Sequence, residues 1–271
     1  AFGLIALLLM ATTLLYGMIT IPHHIPGRGI MVSVVQGDIP QEKKWEQRHA
    51  GEIMKTYAEL TQRVSKDQPA LIVWPETATP RPLSRDIALR RQMREIVNNA
   101  GTDLLVGSAQ HQKFQGAESE VFQNVNSAHL LRFKPSKLKI ERYDKMLLFP
   151  FGEFLPMKKL IPWSFINVQT ASEFIPGKEF TLFETSGSCF GVTICWENVF
   201  PDLFRQFVKR GAQFMVNITN EAHFGKTAAP YQLLSISVLR AVENRVFVVR
   251  CSNRGVSCII DPYGRIINRV S

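Results

Sequence analysis

Cys195 closes the apolar run Phe-Gly-Val-Thr-Ile and is followed at once by Trp196, Glu197 and Asn198. A thiol so placed reads either as a small buried hydrophobe or as a nucleophile. The second reading requires a base or a cation nearby to generate the thiolate. Two other segments offer such groups. Glu76 ends the apolar stretch Leu-Ile-Val-Trp-Pro, where a carboxylate is costly to bury unless it has a partner; its alternative is to turn out to solvent. Lys145 lies in RYDKMLLFPFGEFLP with apolar residues on its C-terminal side, and Glu153 follows eight residues later. A lysine there either packs its stem on the loop and keeps its head in water or points inward toward a carboxylate. A carboxylate, an ammonium and a thiol together suit acyl chemistry: general base, oxyanion stabiliser and nucleophile.

The pattern around these residues is that of a layered α/β domain. Strands are expected at 29–36, 70–74, 102–110, 121–133, 137–143, 180–185, 188–195, 213–219, 245–251 and 255–260. Helices are expected at 43–66, where Ile53, Tyr57, Leu60 and Val64 fall on one face, from a Ser84 cap to Ala100 with Gly101 as the stop, at 201–210 and at 228–243. Alternation of this kind favours sheets covered by helices over a bundle or an all-β sandwich. Glu76 and Cys195 each stand where a buried strand gives way to a loop, the usual place for groups that a scaffold holds and a loop exposes. The stretch 146–178 has no regular period, and Phe149, Phe151, Phe154, Leu155, Trp163 and Phe165 crowd into it. They read as a greasy entrance for an acyl chain, or as core.

Residues 1–22 carry no charged side chain. As a helix rising about 1.5 Å per residue they are long enough to cross a bilayer core of about 30 Å, and they are read as a transmembrane helix, the last of several, with a buried soluble helix as the alternative. Residues 29–271 form the remaining domain. The formal net charge of +9 fits either attraction to anionic lipid headgroups or a solubilising surface. The Lys and Arg residues are scattered, without zinc-finger spacing or an RNA-binding aromatic motif, which disfavours nucleic acid. Cys189, Cys195, Cys251 and Cys258 form no CxxC pair, so neither a zinc site nor any other cofactor is expected. A disulfide between Cys251 and Cys258 across a hairpin is left open by spacing.

Taken together, Trp74-Pro75-Glu76, Tyr143-Asp144-Lys145 with the following FPFGEFLP, and Ile194-Cys195-Trp196-Glu197 resemble the three signature blocks of the nitrilase superfamily of carbon-nitrogen hydrolases. VVQGDIPQEKKW (34–45), FPFGEFLPMKKLIP (149–162), NITNEAHFGKTAAPYQ (217–232), LRAVENRVFVVRCSNRGVS (239–257) and DPYGRI (261–266) are similar to its apolipoprotein N-acyltransferase branch. His223 stands where that branch commonly has tryptophan.

The resemblance implies an αββα sandwich behind membrane helices, with a tail and a further membrane helix after the last motif. It implies Cys195 as nucleophile, Glu76 as general base, Lys145 with the Trp196 backbone N–H as oxyanion stabilisers, and Glu153 and Glu197 in positioning roles. For Glu197 the competing reading is a charge favoured at the N-terminus of the helix near Pro201. The implied reaction moves an acyl chain from a phospholipid, through a thioester on Cys195, to the N-terminal α-amine of a diacylglyceryl-cysteine apolipoprotein. It implies the bacterial inner membrane with the catalytic domain on the periplasmic side. The alternative activity for the same residues is hydrolysis of small amides by a membrane-anchored amidase.

Overall fold

The structure is a computed structural model that describes residues 2–23, 25, 29–44, 46–113, 122–133, 139–157 and 174–270. The expected turn around Pro135, and Trp163 and Phe165 of the expected apolar entrance, lie outside the described residues. Helix α1 (Phe2–Thr20) buries none of its residues against the rest of the chain. It is the one described helix long and apolar enough to cross a membrane. Its Thr12 and Thr13 hydroxyls donate to carbonyls one turn back, Leu8 and Met10, so these two hydroxyls are satisfied within the helix.

The remaining elements in chain order are β1 (Val32–Val34), α2 (Gln41–Lys44), α3 (Ala50–Ser65), β2 (Leu71–Val73), α4 (Ile87–Ala100), β3 (Asp103–Lys113), β4 (Phe122–Arg132), β5 (Lys139–Asp144), β6 (Leu182–Thr185), β7 (Ser188–Ile194), α5 (Pro201–Lys209), β8 (Phe214–Thr219), α6 (Ala229–Asn244), β9 (Phe247–Ser252), β10 (Ser257–Ile260) and β11 (Ile266–Val270). They build a five-stranded sheet, β1-β2-β3-β4-β5, and a six-stranded sheet, β11-β10-β9-β8-β7-β6. In the first, β1, β2 and β3 are parallel, and in the second β7, β8 and β9 are parallel. The carboxyl ends of each parallel set therefore lie at one edge, where Glu76 follows β2 and Cys195 follows β7.

Period-two alternation explains the layers. Leu71 and Val73 of β2 join a core shared with Ile194, Val216 and Val248 of the second sheet. Ile72 and Trp74 face the other way and pack with Ile53, Met54 and Tyr57 of α3 and Leu89 and Met93 of α4. Phe204 and Phe207 of α5 and Leu234 and Ala241 of α6 cover the second sheet. The result is the expected αββα sandwich.

Several boundaries differ from expectation for local reasons. The helix expected over 43–66 is interrupted: α2 ends at Lys44 and α3 begins at Ala50. The break turns Lys44 inward, where its Nζ donates to the Glu76 carbonyl at 2.9 Å. The cap of α4 is Asp86, not Ser84; its carboxylate accepts the Leu89 N–H at 2.8 Å. Gly101 ends that helix as expected, at φ 67. Strand β11 was not foreseen, because all five of its residues are exposed and no face imposes alternation. Cys251 and Cys258 are both free thiols. Cys258 sits opposite Arg250 across β9–β10, so Cys251, one residue along, points to the other face of the sheet.

His129 on β4 is buried, and neither ring nitrogen has a hydrogen-bond partner among the described residues. Burial, with Arg142 on the neighbouring strand adding to it, pushes the imidazole down to about 3. The unfolded chain binds that proton near 6.5. Stability contributed by the neutral ring is thus complete above about 6.5 and is lost as pH falls toward 3, roughly 5 kcal/mol in full. His129→Leu is expected to move the midpoint of acid unfolding, followed by circular dichroism in detergent, to lower pH. An unchanged midpoint would contradict this account.

Candidate active site

The Glu76 turn is fixed by close backbone approach. Gly107 N donates to the Pro75 carbonyl at 3.2 Å and Ala78 N to the Gly107 carbonyl at 2.8 Å. A methyl group on Gly107 would meet the Pro75 oxygen at 2.5 Å and Glu76 Cα at 2.6 Å, so only glycine lets β3 run this near. The Glu76 carboxylate is 7% exposed. It accepts Asn126 Nδ2 on Oε1 and the Asn220 backbone N–H on Oε2, each at 2.8 Å.

Lys145, 1% exposed, follows β5 and is tied down on both sides. Its N–H donates to the Asn126 carbonyl at 2.8 Å and its carbonyl accepts Gly177 N at 2.7 Å. Its Nζ lies 2.8 Å from Glu153 Oε2 and 3.7 Å from Glu76 Oε1. Burial acts to discharge the lysine, but Cys195 once ionised and the Glu76 and Glu153 carboxylates outweigh it and hold Lys145 above its ordinary range. Glu153 in turn accepts Asn126 Nδ2 at 2.9 Å and the Phe149 N–H at 2.7 Å.

Cys195 begins a 3₁₀ turn, Cys195–Val199, with a left-handed backbone at φ 57. Non-glycine residues adopt this only where their surroundings over-determine it. Burial, reinforced by the Glu76 carboxylate and opposed by Lys145, pushes the thiol up to about 12. At neutral pH the resting group is a thiol beside a carboxylate, so attack requires proton removal as the bond forms.

Glu197 is fully buried and binds two loops together. It accepts the backbone N–H of Met146 at 2.6 Å, of Leu147 at 3.0 Å and of Ile194 at 2.8 Å, and the Tyr143 hydroxyl at 3.0 Å. Burial raises its carboxyl to about 7 against these donors and Lys145. Its contacts lie away from the start of the helix at Pro201: it reaches back to the Ile194 N–H at the start of its own turn, and it joins the Lys145 loop to the Cys195 loop. Trp196 adds a second tie, its Nε1 donating to the Leu147 carbonyl at 2.8 Å. Glu197→Ala leaves these donors without their acceptor and is expected to lower stability by about 4 kcal/mol, read as a fall in the midpoint of denaturant unfolding. A variant as stable as the parent would remove the clasp role.

The geometry brings Glu76, Lys145, Cys195, Glu153 and Trp196 to the wall of one cavity of about 510 Å³; Glu197 lies behind that wall. The rest of the lining is largely apolar, from Phe149 and Phe174 to Val199, Phe224, Leu233 and Ile236. Of the expected entrance, Phe149 lines the cavity, Phe151 is exposed, and Phe154 and Leu155 are half-buried. His223 joins the lining beside Phe149, and burial holds its imidazole below the usual range. Sequence reasoning missed Asn126, whose amide bridges the Glu76 and Glu153 carboxylates, Asn220, and Lys44. Burial lowers Lys44 to about 8, against the pull of Glu76. The signal for Asn126 was a lone amide on an inward strand position of VNSAHLL.

Residues 31–271 match the family model described as carbon-nitrogen hydrolase. The chain belongs to this family. Among curated relatives, it is 36% identical over 263 residues to an apolipoprotein N-acyltransferase of Geobacter metallireducens, covering 96% of this chain and 49% of that protein. It is 33% identical over 258 residues to the protein of that name from Chlorobaculum tepidum, covering 87% and 48%. The chain therefore spans about half the length of the curated relatives it matches. Solved structures of similar fold include a Saccharomyces cerevisiae member of branch 10 of the nitrilase superfamily, at TM-score 0.64 and 21% identity over 89% of this chain and 85% of that one. Another is an amidase from Nesterenkonia sp., at TM-score 0.62 and 19% identity over 92% and 89%. At these identities the carbon-nitrogen hydrolase structures establish a shared sandwich fold.

Proposed function

We propose that this carbon-nitrogen hydrolase chain carries the catalytic half of a membrane apolipoprotein N-acyltransferase that works through a Glu76–Lys145–Cys195 triad. The observation that carries the reading is the apolar cavity opening onto a buried carboxylate, ammonium and thiol; a small polar amide requires no such lining, whereas an acyl chain does. The names of the curated relatives point the same way. Glu76 takes the Cys195 proton as Sγ attacks the ester carbonyl of a phospholipid. Lys145 Nζ and the Trp196 N–H receive the developing oxyanion. Collapse expels the lysophospholipid oxygen, which takes the proton back from Glu76, and leaves a thioester. The α-amine of a diacylglyceryl-cysteine apolipoprotein then attacks, Glu76 removes its proton, and the released thiolate is reprotonated; the two half-reactions give ping-pong kinetics. Helix α1 supports placement in a membrane; the bacterial inner membrane, further spans and a periplasmic domain belong to the proposed activity.

The test is intact-mass spectrometry after incubation with phosphatidylethanolamine and no amine acceptor. An added acyl mass that hydroxylamine releases, and that Cys195→Ala lacks, is the expected result. Folded protein that stays unmodified yet releases ammonia from short amides would replace the proposal with the amidase reading.

A further inference from the structure

A second buried network lies behind Cys195 and takes no part in lining the cavity. Asn217 on β8, fully buried, sends its Nδ2 to the Cys195 carbonyl at 3.2 Å and to Thr193 Oγ1 at 3.1 Å. Its Oδ1 accepts Arg250 Nη1 at 2.8 Å. Arg250 on β9, 1% exposed, is itself paired with the buried Glu221 and donates through Nε to the Val256 carbonyl at 3.2 Å. The guanidinium has only donors to offer, so it fixes which end of the Asn217 amide faces it and which end faces Cys195. The chain Glu221–Arg250–Asn217 thus reaches Thr193 and, beyond the end of β7, the carbonyl oxygen of Cys195, the residue with the left-handed backbone.

That atom shares a rigid plane with the Trp196 N–H. In a trans peptide the carbonyl oxygen and the following N–H point in opposite directions. Holding the oxygen toward β8 therefore turns the N–H away from β8. Cys195, at φ 57, opens a single 3₁₀ turn rather than continuing its strand, and a side chain from the neighbouring strand adds a tie to its next peptide plane here.

We infer that Asn217, held by Arg250, is a positioning residue that fixes the Cys195–Trp196 peptide plane so that the Trp196 N–H is presented to the oxyanion. The inference rests on the proposed role of Cys195 as acyl acceptor. It separates two reactions of one thiol. Alkylation by iodoacetamide displaces iodide and develops no oxyanion, whereas acylation by an ester passes through one. Both consume the Cys195 thiol, so their ratio reports on the oxyanion donors.

Asn217→Asp keeps an oxygen for Arg250 and so preserves the buried pairing, but offers the Cys195 carbonyl no N–H; Asn217→Ala removes both. The rate of acyl-adduct formation from phosphatidylethanolamine and the rate of carbamidomethylation at Cys195 are measured on the full chain in detergent by the mass of the Cys195 peptide, which distinguishes it from the free thiols of Cys189, Cys251 and Cys258. The ratio of acylation to alkylation is expected to fall about 100-fold in Asn217→Asp, the order of one oxyanion donor, and as far in Asn217→Ala. A ratio within threefold of the parent overturns the inference, even if both rates fall together, since that is what loosened packing alone produces. If the parent protein alkylates at Cys195 but never acylates there, the underlying reading fails and takes this one with it.

Discussion

Glu76→Gln is expected to slow acyl-enzyme formation by about ten-thousand-fold while making Cys195 react faster with iodoacetamide at pH 7. The two effects have opposite signs because the carboxylate plays two parts. In the resting site its charge, second to burial, raises the thiol toward 12 and suppresses free thiolate. During attack on an ester it is the base that accepts the thiol proton. The glutamine keeps an oxygen for the Asn220 N–H and occupies the same space, so the main-chain tie persists, while its NH2 gives up the bond from Asn126 Nδ2. It withdraws the repulsion felt by a thiolate and leaves Lys145 to stabilise one. It also removes the proton acceptor that the acylation step requires. Both rates come from the mass of the Cys195 peptide in parallel incubations with phosphatidylethanolamine and with iodoacetamide. Acylation within tenfold of the parent would exclude Glu76 as the base. A parallel loss of alkylation would mean that the substitution had collapsed the site.

The positions that announced themselves in the sequence were those where a polar residue ends an unbroken apolar strand. Glu76 after Leu71–Val73 and Cys195 after Ser188–Ile194 are of this kind, and the parallel order of both strands puts them at one edge. Lys145 was legible through its company more than its setting. What stayed hidden was whatever depends on a partner distant in sequence. Asn126 looks like any polar residue in an antiparallel strand until Glu76 and Glu153 are brought against it. Lys44 reads as one more charge on an amphipathic helix, and only the break after it turns the side chain inward. Arg250 and Glu221 lie in separate segments, each of which would be taken as surface, yet they neutralise one another in the core. The two cysteines of β9 and β10 illustrate the converse. Seven residues of separation permit a hairpin disulfide, but register decides, and the register opposes Cys258 to Arg250.

Lys145→Met should abolish detectable acylation and also destabilise the fold, and a second substitution separates the two losses. The ammonium is within 4.0 Å of two buried carboxylates, Glu76 and Glu153. Removing it leaves them facing one another across the Asn126 amide with no cation between. Breaking a buried pair in this way costs about 3–5 kcal/mol, and the oxyanion loses a charged donor that contributes about 100- to 1000-fold in rate. In Lys145→Met/Glu153→Gln the second carboxylate is neutral, and its amide oxygen can still accept from Asn126 or from the Phe149 N–H. Most of the lost stability is therefore expected to return, seen as recovery of the denaturant midpoint, because the penalty was electrostatic. Acylation should stay absent, because neither methionine nor glutamine supplies a positive charge where the oxyanion develops. If acylation returned with stability, Lys145 would be a structural counter-ion for the carboxylates and the Trp196 N–H would have to stabilise the oxyanion without it. If neither returned, the lysine would be holding the 145–153 loop in place through contacts that charge alone does not explain.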